Sequence, residues 1–524
     1  MQKKLLILIT IILLVSVSLF SATTGKLAGR VKDDKGNNVP YANVILKGTT
    51  IGAMTDEQGK FMIINIPPGT YTVVCQLMGY APYEMTGVRI NVDETRTVNI
   101  SLSKKTIQMQ AVKVVAKEEL VTKDRAGSSK SISADQISDI AVSDISGVIA
   151  MQAGVTQKDG QLFVRGGRAN EVNFTVDGMS VSDPVDGGSA LSVDMDAVAD
   201  MKVITGGLTA EYGNAQSGMV NIVSKDGSSQ YEGKIEGTTD HLFQDASNMD
   251  EVKFAIGGPM IPFGFDSLKD KLTFFLNGAG AWTDGRFREF FKNNPNQDLR
   301  YITSVAYDTY DPYSERDELL GFQISNRNYN DYNVNLKTKY VISPTQNVSL
   351  AIRGDRSYYT PFSHSWKYAL QHYFESETNQ RQIMLTYDLT IGTKSNLKVK
   401  LSQFEKTTYQ NPRGIDKENY IWQDNSNYNP SLGLLGYSSV DNNGDGIFDY
   451  GFNESSSWAY SIDGLDDPVA ITGFRAPGSI WDNFIDDKTA TLNLRADYEY
   501  QMNEIIGFKT GFELIKHKIE KNQL

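Results

Sequence analysis

Tyr332-Asn-Val-Asn-Leu-Lys-Thr-Lys-Tyr-Val-Ile342 sorts its side chains by parity. Tyr332, Val334, Leu336, Tyr340 and Ile342 take one face of an extended chain, and Asn333, Asn335, Lys337 and Lys339 take the other, because successive side chains of a strand point to opposite sides. The short turn Ser343-Pro-Thr-Gln346 follows, and Val348, Leu350 and Ile352 resume the alternation. The pattern recurs at Ile383, Leu385, Tyr387, Leu389 and Ile391, turns near Gly392, and continues at Leu397, Val399 and Leu401. Leu492, Leu494, Ala496, Tyr498 and Tyr500 are opposed by Asn493, Arg495, Asp497 and Glu499, and a turn at 501–504 leads to Ile506, Phe508, Phe512 and Leu514. With strands at 231–239, 252–258 and 272–281, the count is about nine strands of about ten residues each.

Alternation also suits a soluble sandwich, so the connections decide. Those near Ser343, Gly392 and Gln501 are short, while 284–327, 355–380 and 406–487 are long, and every long one falls on the same side. Short turns on one rim and long loops on the other are the habit of a transmembrane barrel, apolar toward lipid and polar within. Leu336→Arg is accordingly expected to impair assembly far more than Lys337→Ala.

Composition fits. The 524 residues carry a net charge of -12, which argues against a general nucleic-acid role, since such proteins usually present a clustered basic face. Gly (45) and Tyr (26) are plentiful, as in turn-rich β-structure. Cys75 is the one cysteine; it has no intrachain partner and reads as buried filler in the run Tyr71-Thr-Val-Val-Cys75. Residues 1–22 read as an export signal: Lys3 and Lys4, an apolar stretch from Leu5 to Phe20, then Ser21 and Ala22. No cysteine near the cleavage site offers a lipid anchor, and no later segment reads as a membrane helix.

Residues 23–103 alternate short strands with turn signals such as Asp33-Asp-Lys-Gly36, Asp56-Glu-Gln-Gly59 and Pro67-Pro-Gly69. About seven strands in this space predict a small β-sandwich. The stretch from Gly29 to Tyr80 resembles the carboxypeptidase regulatory-like domain, which implies a fold and not a peptidase. The linker 104–125 is polar except for one island, Ala111, Val112, Lys113, Val114, Val115 and Ala116. Such an extended β-branched segment is ready to pair with a partner's sheet edge; the alternative is an ordinary leading strand of the next domain.

Residues 126–227 mix elements. Ser133 is placed to cap a short helix through Ile140, and 144–151 reads as a second. Strands are expected at 161–165 and 172–176, with Asp177-Gly178 as a tight turn, then a helix over 194–201 and strands at 202–205 and 219–224. The stretches Leu162 to Pro184 and Met201 to Gly227 resemble the plug domain of TonB-dependent receptors. Gly166, Gly167, Gly206, Gly207 and Gly213 permit turns and close approaches. Arg165, Asp177 and Glu211 are charges at apolar strand ends, where burial would demand partners. The resemblance implies that such residues pair with the inner barrel wall, as structural locks. It also implies an outer-membrane home, a TonB-type energy transducer as partner, an extracellular ligand and contact with outer-membrane lipid. Residues 228–524 are then the N-terminal portion of the barrel, since family barrels have about twenty-two strands, and the sequence is expected to be the front of a longer chain.

Two segments offer chemistry. In the longest loop, Asp441, Asn443, Asp445, the backbone of Ile447, and Asp449 place oxygens at alternate positions around Gly446, as in the first half of a calcium loop; Phe452 stands where the last carboxylate is usual. His372-Tyr-Phe-Glu375 has peptidase-zinc spacing, but with His517 as third ligand the set does not converge on one open site. The reading is therefore a mainly β receptor, with no catalytic residues and no required cofactor beyond a possible structural calcium, importing a glycan, peptide or metal chelate, with a surface lipoprotein as a further expected partner. A surface adhesin or protein-secretion component on the same barrel is the alternative.

Overall fold

Period-two segments become strands because each has one face that water can hold and one that it cannot. In the computed structural model the described residues are 23–104, 112–115, 128–140, 142, 144–158, 161–185, 187, 193–208, 215–240, 249–260, 271–283, 318–319, 322–323, 328–361, 374–412, 459–460, 469–470, 484–502 and 506–523.

The first unit has seven strands in chain order: β1 (Gly25–Asp33), β2 (Asn43–Leu46), β3 (Gly52–Met54), β4 (Lys60–Ile66), β5 (Gly69–Gln76), β6 (Tyr83–Ile90) and β7 (Thr95–Leu102). An eighth, β8 (Val112–Val115), joins from the linker. One sheet runs β4-β1-β7 and the other β3-β2-β5-β6-β8. Between them Leu27, Val31, Val44, Phe61, Ile63, Val73, Cys75 and Ile100 form the core. Cys75 is a free thiol with no exposed surface, and burial pushes its pKa up to about 12, so it is inert packing.

The second unit opens with β9 (Ser128–Ser133), then α1 (Ala134–Ser138) and α2 (Ile145–Ala150). Ser133 caps α1 by a full capping box with Gln136, and Asp144 caps α2 by accepting from the Gly147 amide. A hairpin β10 (Val155–Lys158) and β11 (Gln161–Val164) follows, then β12 (Val172–Val176), β13 (Met179–Ser180), β14 (Val198–Gly206) and β15 (Gly218–Ser224). The sheet order is β13-β12-β15-β14-β9, which leaves β9 on an edge. The helix expected over 194–201 is only one 3-10 turn, Met195–Ala197, and β14 begins at Val198. Central position decides: β14 is paired on both sides, by β15 and β9, and Val198, Asp200, Met201, Lys202 and Val203 are all buried.

The third unit is one antiparallel sheet of nine strands: β16 (Glu232–Thr239), β17 (Asp250–Pro259), β18 (Leu272–Thr283), β21 (Tyr329–Ser343), β22 (Gln346–Tyr359), β23 (Phe374–Ile391), β24 (Ser395–Pro412), β27 (Ile485–Gln501) and β28 (Gly507–Gln523). Two-residue ladders join β19 (Glu318–Leu319) to β20 (Phe322–Gln323), and β25 (Ala459–Tyr460) to β26 (Val469–Ala470). Each neighbour in the large sheet is the next long strand in the chain, as an up-and-down wall requires. From β21 onward the strands are 14 to 18 residues long, well beyond the ten or so expected. The surplus lies at the loop ends, where the face bearing Ile352 and Leu385 turns charged. Arg356 pairs with Glu377 at 3.0 Å, and Arg381 and Lys488 each reach Glu405 at 3.2 Å. Below that band Val334, Ile352, Ile383, Leu385, Leu401 and Leu492 stand exposed as an apolar belt. No helix among the described residues is long and apolar enough to cross a membrane; the sheet supplies the crossing.

Candidate functional site: the charged seat of the plug

Asp177-Gly178 joins β12 to β13, with Val176 paired to Met179. Both residues have positive φ, 50° and 78°, which is the two-residue turn that matches the twist of a hairpin and favours Asp-Gly. Glycine is free there, and Asp tolerates it better than most side chains. The turn thrusts the Asp177 carboxylate out of the plug sheet and against the wall. Met179 follows it, packing on Ala351 of β22 and Met384 of β23.

Around that carboxylate the seat is dense. Ser224, the last residue of β15, donates its amide at 2.9 Å and its hydroxyl at 2.6 Å. Arg353 of β22 forms an ion pair with Asp177 and also donates to Gln382 Oε1 at 2.8 Å. Lys337 Nζ of β21 lies 3.5 Å from Asp177 and 2.8 Å from Asp226, which Lys339 contacts at 2.7 Å. The turn's carbonyls are held too, Asp177 O by Lys400 Nζ at 2.9 Å and Gly178 O by Arg495 Nη1 at 3.2 Å. Burial pushes the Asp177 carboxyl up, but Lys337, Arg353 and the Ser224 hydrogen bonds outweigh it and hold the pKa at about 2. Asp226, half-buried between Lys337 and Lys339, is likewise lowered by them. Higher on the wall Lys406 reaches Asp183 at 2.7 Å. Phe275 of β18 and Phe404 of β24 enter the plug core itself.

Of the charges read from sequence, Asp177 is at the centre of this seat. Arg165 is not in it. It is exposed at the end of β11, has positive φ with Gly166 beside it, and makes no ion pair among the described residues. Its guanidinium lies over Gly206, where an added Cβ would meet Nη1 at 2.3 Å. Gly167 is held by proximity, since a Cβ there would lie 2.4 Å from that of Ser217. Glu211 and Gly213 lie outside the described residues, as do residues 1–22, Ala111, Ala116, and Asp441, Asn443, Asp445, Ile447 and Asp449. Lys337, which alternation alone makes a dispensable lumen lysine, is a half-buried partner of two carboxylates. Arg353, Lys339, Lys400 and Arg495 were not distinguishable in sequence from any other polar residue on the inner face.

The sandwich is tied to the same assembly. Asp93, in the turn after β6, pairs with Lys202 of β14 at 2.9 Å and with Lys509 of β28 at 2.8 Å. Asp200 of β14 has no exposed surface; it accepts from the Val92 amide at 2.8 Å and from Ser131 at 3.0 Å, with Arg89 at 3.6 Å. Lys26 pairs with Glu499 of β27, and Asn65 donates to Asp388 of β23 at 2.9 Å.

Residues 27–114 match the family model for a CarboxypepD_reg-like domain, and residues 121–220 that for the TonB-dependent Receptor Plug Domain. The chain is 25% identical over 298 residues to the TonB-dependent transporter Oar of Myxococcus xanthus, covering 50% of this chain and 27% of that protein. It is 28% identical over 339 residues to the TonB-dependent receptor SusC of Bacteroides thetaiotaomicron, covering 59% and 32%. The matches thus span about a third or less of these relatives. The solved FrpB iron transporter from Neisseria meningitidis (F3-3 variant) aligns with a TM-score of 0.46 at 12% identity, over 76% of this chain and 50% of that one. The chain thus carries a CarboxypepD_reg-like domain and a TonB-dependent receptor plug domain, in this order and ahead of a nine-stranded antiparallel wall, and is similar over these parts to TonB-dependent receptors of the outer membrane.

Proposed function

We propose that the protein imports an extracellular ligand by energy-coupled displacement of the plug. The observation that carries this is the seat at Asp177. A plug fixed by a few buried charged contacts, with its sheet separate from the wall's, can be loosened without unfolding the barrel. Ion pairs of this kind are weak evidence for stability but give a defined position. An inner-membrane transducer supplies the work by pulling on the segment 111–116, and the ligand is a glycan, peptide or metal chelate taken from a surface lipoprotein. Cells carrying the full-length receptor should accumulate one class from a panel of labelled oligosaccharides, peptides and ferric chelates, and lose that accumulation when the transducer gene is deleted. Accumulation that persists without the transducer would refute the reading.

The loop residues Asp441, Asn443, Asp445, Ile447 and Asp449 are proposed to hold a structural calcium ion. The affinity need only be about 10⁻⁴ to 10⁻³ M, as in extracellular modules. Limited proteolysis of intact receptor should cut this loop faster in chelator than in calcium, and Asp445→Ala should mimic chelation. Equal cutting under both conditions leaves only an acidic turn.

A further inference from the structure

The island 112–115 is neither loose in its linker nor the leading strand of the plug. It is the last strand of the second sandwich sheet, running parallel to β6 with Tyr83 opposite Val112, Glu84 opposite Lys113, Met85 opposite Val114 and Thr86 opposite Val115. Val114 packs against the sandwich core, and its carbonyl accepts from Thr86 Oγ1 at 3.4 Å. The other edge of β8 pairs with no strand among the described residues, and Val115 is 76% exposed. An edge of this kind, with backbone groups unpaired and an apolar side chain beside them, is a template for one more strand.

What lies on either side gives the edge a mechanical meaning. The next described strand along the chain is β9, itself an edge strand whose one partner among the described residues is β14. The sandwich is anchored to that same β14 through Asp200 and Lys202. A pull on β8 therefore reaches the plug first at a strand that can be stripped away while β14, β15 and β12 remain paired.

We propose that β8 is a pre-formed docking edge: a strand of the periplasmic transducer adds to its free side while β6 keeps the other, so that sandwich and transducer share one continuous sheet. This rests on the reading that residues 111–116 are the transducer's docking segment. Retention of β8 follows from what each route costs. Release exposes Val114 and the β6 edge before any new contact forms, whereas addition to the free edge exposes nothing. A strand already ordered also loses less conformational freedom on binding than a loose one.

The test is a disulfide staple, Thr86→Cys with Val115→Cys, in the full-length receptor. These residues are directly opposed in register, and paired strands bring Cα atoms within disulfide range. Buried Cys75 does not compete. The readout is binding of the purified periplasmic domain of the host's own transducer to the detergent-solubilised receptor, oxidised and reduced, with single-cysteine variants as controls. The oxidised protein should bind within twofold of the reduced one. Hydrogen exchange at 112–115 should slow on addition of the domain while 83–86 stays protected. Binding that drops tenfold or more on oxidation and returns on reduction would overturn the proposal, because the strand then has to leave the sandwich; failure of the staple to form does the same. Wild-type receptor that ignores the domain altogether would instead remove the transport reading on which the proposal stands.

Discussion

Asp177 meets two demands that usually fall on different residues, a left-handed turn and a buried negative charge. The turn half was legible: an Asp-Gly dipeptide after the Val-rich strand 172–176 has few other uses. The charge half was not, because its partners Arg353 and Lys337 lie more than 150 residues away and follow the same alternation as their neighbours. Removing Arg353 alone leaves a carboxylate deprived of its closest cation, a change that typically costs about 3–5 kcal/mol. Arg353→Gln should therefore loosen the plug more than Asp177→Asn, and the double variant should recover part of the loss. Denaturant-dependent hydrogen exchange of β12 and β15 across the double-mutant cycle would show a coupling of about 1–3 kcal/mol; strict additivity would mean that the two residues do not act as a pair. The pKa of about 2 also fixes a sign. Because it is depressed from 3.8, the stability it contributes is present above pH 3.8 and disappears as pH falls through about 2, so the Asp177 carboxylate itself adds no pH dependence between pH 5 and 8.

Among elements, the long strands were readable and the first half of β14 was not, for one physical reason. A wall strand has a lipid side and a lumen side, and so writes period two into the sequence. A strand buried on both faces writes no period at all, and Met195-Asp-Ala-Val-Ala-Asp-Met201 suggests a helix until its neighbours are known. The lengths of the wall strands were underestimated because alternation is clearest only across the apolar belt and blurs where Arg356, Arg381 and Lys488 take over the outer face. Leu385 sits within that belt, opposite Leu350 on one side and Leu401 on the other. Leu385→Arg should lower the fraction of folded barrel in outer-membrane extracts, by about 2–4 kcal/mol if the residue lies near mid-bilayer, while Leu385→Ala should cost much less. Heat-modifiable electrophoretic mobility measures both; equal losses would mean that this face does not meet lipid.

At the scale of the molecule, the order sandwich, plug, wall was legible from motifs, but the docking of the first onto the second was not. It is built from the short turn at Val92 and Asp93, which carries no sequence signature, and from Asp200, whose burial follows from the half of β14 that reads as helix in the sequence. That interface contains two carboxylates with opposite leanings. Burial raises Asp200 to about 6, against the hydrogen bonds from Val92 and Ser131 and the charge of Arg89, with Glu94 adding to the rise. Asp93 is half-buried, and although desolvation raises it, Lys509 and Lys202 pull it below its ordinary value. The signs follow. Asp200 contributes stability that is complete below pH 3.8 and is lost as pH rises through about 6, whereas Asp93 contributes stability present above pH 3.8 and lost at lower pH. Docking should thus be tightest near pH 4 and weaken as pH rises to about 6, levelling off above it, by about 3 kcal/mol at most, since one pKa unit is about 1.4 kcal/mol. Asp200→Asn keeps an oxygen for the Val92 amide and removes the charge. Calorimetric melting of the full-length receptor in detergent from pH 2 to 8 should show the decline between pH 4 and 6 in the wild type and its absence in Asp200→Asn, with the decline below pH 3.8 unchanged in both. Parallel declines between pH 4 and 6 in the two proteins would show that Asp200 is not the group whose ionisation weakens the docking.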